Sequence, residues 1–435
     1  MTSRVVVLDD DPTGTQAAAG ARVLIDTSAP ALRSWFADHP PAPVYVSTNT
    51  RALPPGQARD LIARVADVAA TLWPGVRFVC RGDSTLRGHV LEEYQGLAGD
   101  AAPALLLAPA MPSAGRVTVG GRHYLVTADG RVPVAETEYA RDPHFGYGDS
   151  GLLCWAERRS GGFFAARRGI VLRLAELRDG GPAAVAAATA RVARGGEPAV
   201  VACDAENDAD LAAIADGVRL AWQEDGEVIV RCAPPLAALL TGVAAAGFCP
   251  PPSARRLLVV VGSYVRASTL QLAELSRRYP GRAALADLEA LGRDPAGEQY
   301  RLARLLEQAW AQGPVAIMAT PRVRADVGQA SGLEIARRLA GVVAALPARP
   351  DAVIVRGGVT SAVMARFGLG AAQARVAGPV MPGVVLWRLD AAVGGIPLLI
   401  AAGNIGQPGD LAALVGRITD GHASLAHGAA EQGKE

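Results

Sequence analysis

Apolar and polar positions fall in blocks along this chain. RVVVLDD, close to the start, is an apolar run that ends in acids and reads as a buried strand. ARVLID reads as a second strand. PVYVSTNT reads as a third that closes on small polar residues. In GQARDLIARVADVAATLW the apolar residues recur every three or four positions, which predicts a helix. VRFVCRGDSTLRG and PALLLAPAMPSAGR are each a strand running into a polar or Pro/Gly turn. HYLVTADGRVPV predicts a hairpin at its D-G pair, with a long loop after it. VACDAENDADLAAIADGVRLAW returns to strand, acidic turn and helix. This repeating order is the signature of an α/β fold on a mostly parallel sheet.

The apolar pattern breaks at AAGFCPPPSARR, where Pro250–Pro252 would stiffen a linker. LLVVVGSYVRASTLQLAEL then opens a second α/β unit, whose later strands are VAIMAT, DAVIVRGG and PLLIAAG. At 435 residues the chain exceeds one average domain. The expected division is 1–249, a linker at 250–253, a second domain at 254–425, and a tail at 426–435 without order.

Composition narrows the chemistry. A formal charge of +1 gives no general drive toward nucleic acid or a membrane surface. The basic residues are almost all arginine, and the one lysine is Lys434. A catalytic or phosphate-binding cation must then be Arg, His, a metal or a helix N-terminus. Five scattered cysteines (Cys80, Cys154, Cys203, Cys232 and Cys249) contain no CxxC and fit a reducing, cytoplasmic setting. SRVVVLDDD is too short for a signal sequence, and no apolar run is long enough to span a bilayer, so a soluble protein is expected.

Candidate chemistry gathers at the strand ends. Asp9, Asp10 and Asp11 follow one another directly, and three like charges so close cost energy unless a cation or a hydroxyl needing a base answers them. A solvated turn is the plain alternative, since Asp, Pro, Thr and Gly form turns readily. In parallel sheets, however, ligands bind outside the carboxyl ends of the strands. Asp9–Asp10, Ser47–Asn49, Arg81–Arg87 and the 110–116 turn all occupy such ends. CRGDSTLRGH supplies Arg81, Asp83, Ser84, Thr85 and Arg87, a mixture suited to a carboxylate and to hydroxyls. An Arg–Asp pair decorating a loop is the plain alternative there. Together with Ser47 and Asn49, these residues point to a sugar acid. In the second half, VVVGSYVRAST, VIVRGGVTSAV and IAAGNIGQPGDL are three strand-to-glycine turns that suit a polyanion such as a nucleotide's phosphates. There is no GxxxxGK[ST], and no GxGxxG follows the first strand.

The sequence resembles the four-carbon acid sugar kinase family. DDDPTGTQ resembles its DDxTG box and CRGDSTLRGH its DSTxRG box. VAETEYARDP, VVVGSYVRAST, RGGVTSAV, PVMPGVVLW and AAGNIGQPGD resemble further elements in the same order. The resemblance implies two α/β domains with an acid sugar on the first, ATP on the second, and the active site in the cleft between them. It implies that Asp10 or Asp11 is catalytic, with Asp10 preferred. Arg81, Asp83, Ser84 and Arg87 would hold the acid, joined by Ser47 and Asn49 from their place at the neighbouring strand end. Ser263, Gly357, Gly358, Val359, Thr360, Gly403 and Asn404 would hold ATP with Mg²⁺. Val359 stands where many members carry an acid, Ala401 where a lysine is usual, and Gln16 where Asp is frequent. The expected activity is ATP-dependent phosphorylation of threonate, erythronate, 3-oxo-tetronate or a related acid. A sugar-acid sensor without catalysis and an NAD-dependent dehydrogenase are the alternatives. The expected partner is a small sugar acid, without nucleic acid or membrane, and a homo-oligomer is left open.

Overall fold

The computed structural model describes residues 4–224, 226–243, 247–322, 332–403 and 405–431. The chain forms two compact units. One comprises Met1–Ala21 with Thr27–Ala245, the other Arg22–Asp26 with Ala246–Glu435.

The first unit holds a sheet in the order Val44–Ser47, Val5–Asp9, Arg77–Arg81, Val228–Cys232, Ala104–Ala108, Val200–Cys203, Ile170–Leu172. Every neighbouring pair in it is parallel. Val5–Asp9 and Ala104–Ala108 are buried at every position, as strands covered on both faces must be. The predicted helix spans Pro55–Leu72 and buries Ala58, Leu61, Ile62, Val65, Ala66, Val68 and Ala69, the spacing read from the sequence. Register then fixes one row. Asp9 lies opposite Ser47 on one side and Arg81 on the other, Arg81 opposite Cys232, and Cys232 opposite Ala108. A separate antiparallel sheet joins Arg116–Val119, Arg122–Thr127 and Gly130–Pro133. Its second hairpin is the expected one, with Gly130 pairing Thr127.

The second unit's sheet runs Ala283–Leu285, Val315–Ala319, Leu257–Val261, Ala352–Arg356, Pro397–Ala401, Val384–Leu389, Gln373–Met381, Arg22–Leu24. The first five strands are parallel and the last three pairings antiparallel. Its row of strand ends is Ala319, Val261, Arg356, Ala401. The strand read from ARVLID thus pairs with Gln373–Met381, and Asp26 bonds Arg366 at 2.6 Å. The last helix, Asp410–Glu431, runs into the stretch expected as a tail without order, and 432–435 lie outside the described residues. Among the described residues no helix is long and apolar enough to cross a membrane.

Candidate functional site

The three opening acids meet three different environments. Asp9 and Asp10 are almost fully buried, while Asp11 keeps some exposure. Asp9 takes the Nε of Arg81 on its Oδ1. Asp10 receives Arg51 on both oxygens, Nη2 at 2.7 Å and Nε at 3.2 Å, and Arg81 Nη1 lies 3.3 Å from it. Asp11 accepts from the Thr13 amide at 2.9 Å and its hydroxyl at 2.7 Å, capping the short helix Pro12–Ala17, and also meets Arg51. This helix explains the Pro-Thr-Gly-Thr sequence. Gly14 lies so close to the Arg81 guanidinium that a Cβ there would sit 2.7 Å from Nη1. Burial pushes Asp9 up to about 7 against the pull of Arg81, with Asp10 and Asp11 adding to the rise. Burial would raise Asp11 as well, but Arg51, Arg81 and the Thr13 bonds hold it below the usual carboxylate range.

The 82–88 loop closes over this row. Burial would raise Asp83, yet Arg87 and Arg51, with hydrogen bonds from Arg87 and Thr85, hold it far below the usual range. Arg87 Nε donates to Asp83 at 2.7 Å, and Arg87 Nη1 lies 3.6 Å from Asp142. Leu86 is buried with φ +66°, a left-handed conformation that costs a bulky residue energy and needs firm support. Three side chains supply it. Tyr147 donates to Thr85 O at 2.6 Å. His123 Nε2 is 2.9 Å from Ser84 O and must donate, so Nδ1 accepts from Thr118 Oγ1. Burial lowers His123 to about 4, which keeps this ring neutral. Arg231 packs between the loop's two ends. A Cβ on Gly82 or Gly88 would lie 2.8 Å from its Nη2, and the one on Gly88 would also lie 3.1 Å from Asp10. Arg231 pairs with buried Glu93, which accepts from Thr50 Oγ1 at 2.8 Å.

Arg51 and Arg81 thus bind the opening acids together, and the charge of Arg51 also acts on Asp83, which pairs with Arg87. Ser47 and Asn49 sit at the end of the neighbouring strand, with Asn49 left-handed at φ +50°. Asp9 Oδ2, Ser47 Oγ and Asn49 Oδ1 are buried and have no hydrogen-bond partner among the described residues, which calls for a polar occupant. Ser84 enters through its carbonyl on His123. The sequence reading passed over Arg231, Glu93 and His123. A visible signal existed for Arg231, a lone cation in the apolar run EVIVRCAP, because a charge in a buried strand requires a partner.

The second unit gathers its candidates differently. Ser263, Gly357 and Gly403 follow three adjacent parallel strands. A Cβ on Gly403 would lie 2.7 Å from Ser263 Oγ, and one on Gly357, at φ +112°, 3.3 Å from Ser263 Cβ. Gly358 opens a short helix, Gly358–Val363, that carries Val359 and the buried Thr360 in its first turn. Ser361 Oγ donates to Gly357 O at 2.9 Å. Arg356 spends its donors on Ser268 Oγ, Gly403 O and Ile405 O, and burial lowers it to about 10, leaving it charged. Arg322 donates to Ser263 O and Thr320 O, and the Tyr264 hydroxyl is buried without a partner among the described residues. Asn404 lies outside the described residues. The missing side chains of Gly357 and Gly403 let these turns pack closely against Ser263. Among the described residues no group of three His, Cys, Asp or Glu side chains could hold a metal ion.

Residues 5–240 match the model of a sugar-binding N-terminal domain, and residues 258–411 that of a nucleotide-binding C-terminal domain. Among solved structures, a Haemophilus influenzae protein of the DUF1537 family is 17% identical with a TM-score of 0.63, over 94% of this chain and 99% of its own. A Salmonella typhimurium LT2 protein, described as a candidate tRNA synthase, is 19% identical with a TM-score of 0.66, over 95% of this chain and 98% of its own. At such identities the likeness establishes the fold. No curated protein matches the chain.

Proposed function

The chain belongs to the family that joins a sugar-binding N-terminal domain to a nucleotide-binding C-terminal domain, and from that premise we propose that it phosphorylates a hydroxyl of a small sugar acid with ATP. The observation that carries this reading is the trio of buried, unpartnered acceptors, Asp9 Oδ2, Ser47 Oγ and Asn49 Oδ1, beside the Asp10–Arg51–Arg81 network. Acceptors without donors are what a polyhydroxylated ligand satisfies.

In this reading the domain at 1–249 holds the acid, 250–253 links, and 254–425 holds the nucleotide. Phosphoryl transfer takes place where the two ligands meet. Bound ATP with Mg²⁺ supplies the γ-phosphoryl group and neutralises its charge. Ser263, the 357–360 turn, Gly403 and Asn404 hold the phosphates. Ser47, Asn49, Asp83, Ser84 and Arg87 orient the acid. Asp10 contacts the reacting hydroxyl and takes its proton, while Arg51 and Arg81 keep its carboxylate in place. Asp11, the more exposed acid, is the runner-up for that role. Threonate, erythronate and 3-oxo-tetronate are the substrates to try first.

Label transfer from ATP to this panel tests the reading. A phosphorylated acid is expected, and acid binding without transfer would favour the sensor, which Val359 and Ala401 support. Asp10→Asn should lower kcat about 10²-fold or more with little change in ATP affinity. A larger loss in Asp11→Asn would move the base to Asp11, and normal kcat in both variants would remove the base role from this run.

A further inference from the structure

The guanidinium groups of the network all have carboxylate partners. Arg81 faces Asp9 and Asp10, Arg51 faces Asp10 and Asp11, Arg87 faces Asp83 and Asp142, and Arg231 faces Glu93. An incoming carboxylate would have to compete with them. Arg81 is the least available, being nearly fully buried and enclosed by two acids.

Arg116 differs. Among the described residues it makes no ion pair. Its Nη1 donates to Ala114 O at 2.7 Å, and its Nε is buried without any partner. It stands immediately after the turn that ends the Ala104–Ala108 strand, so the topology delivers it to the edge that carries Asp9 and Arg81. Its guanidinium carbon lies 5.9 Å from the Tyr139 ring centroid, and that of Arg87 lies 5.4 Å from the same centroid. Two cations sharing one ring repel each other, and one of them lacks a counter-charge. A planar anion with two acceptor oxygens answers both the unmet donor and the unmet charge.

We infer that Arg116, beside Arg87 on the Tyr139 ring, is the seat of the substrate's carboxylate. Arg81 is then a positioning residue that holds Asp9 and Asp10. The inference rests on the reading of the substrate as a small acid.

Calorimetric titration without nucleotide tests it. The probes are D- and L-threonate, D-erythronate and the uncharged polyol threitol, with circular dichroism to verify folding. Arg116→Met should raise the Kd of the best-bound acid tenfold or more, leaving threitol and ATP binding unchanged. Arg116→Lys, which keeps the charge but loses the fork, should raise it severalfold, and it decides the matter if the methionine variant does not fold. An acid Kd within twofold of wild type in the folded variants overturns the assignment. So does a wild-type protein that binds none of the acids, or binds threitol equally well. Because no phosphoryl transfer is needed, acid binding without transfer would defeat the kinase reading and leave Arg116 standing. Transfer with an unchanged acid KM in Arg116→Met would do the reverse.

Discussion

The two units present the same feature, a row of parallel strand ends, with opposite chemistry. In the first the row reads Ser47, Asp9, Arg81, and nearly every charge is matched by another. In the second it reads Ala319, Val261, Arg356, Ala401, and the residues that follow include Gly262, Gly357 and Gly403. Arg356 there donates to two backbone carbonyls and a serine hydroxyl, with the charge of Asp410 nearby. One edge is built of side chains locked in ion pairs. The other is built of glycines packed closely around Ser263. Parallel architecture supplies the edge, and the residues just past each strand decide what the edge can read.

The contrast predicts unequal costs for similar substitutions. Arg81→Met strands Asp9 in the interior, and breaking such a pair costs about 3–5 kcal/mol. Arg356→Met strands neutral hydrogen-bond partners, each at a smaller cost than a buried charge left unpaired. Urea denaturation of both variants should show the larger loss for Arg81→Met, and equal losses would erase the distinction between the edges.

A smaller effect is expected for Gly357→Val. The positive φ and the nearby Ser263 leave no comfortable place for a branched side chain. ATP affinity should fall by about tenfold or more, each factor of ten being about 1.4 kcal/mol, while acid affinity stays within twofold. Normal ATP binding by a folded variant would put the nucleotide elsewhere.

The smallest effect in the wild type is a pH dependence, because two groups of the first unit oppose each other. His123 is lowered to about 4, so the folded state binds fewer protons than the unfolded one between roughly pH 4 and 6.5. Its contribution to stability is complete above that window and is lost as pH falls through it. Asp9, raised to about 7, has the opposite sign, and its contribution is lost as pH rises from about 4 to 7. The two largely cancel in the wild type. His123→Gln should leave stability falling with rising pH, and Asp9→Asn should leave it rising. Flat profiles in both variants would show that neither group titrates in this window.

Much of the architecture was legible. Val5–Asp9, Val44–Ser47, Arg77–Arg81 and Leu257–Val261 stand where apolar runs meet polar turns, and Pro55–Leu72 follows its three-and-four spacing. Those are local properties, carried by side-chain size, branching and period. The strand in ARVLID was equally legible, but not its partner. Its three residues pair with Gln373–Met381, some 350 positions away.

The candidate site divides along the same line. Composition and spacing alone brought out Asp9–Asp11, Ser47, Asn49 and the Arg81–Arg87 loop, because acids, hydroxyls and arginines packed into turns are costly to leave without purpose. Only the tertiary structure decided which of them are available. It enclosed Arg81 between two acids, placed Arg231 and Glu93 beneath the loop, neutralised His123 by burial, and left Arg116 without a counter-ion among the described residues. The reason is electrostatic. Whether a charge is spent or free depends on what lies within a few ångströms of it and on how much water remains there, and sequence separation carries neither quantity.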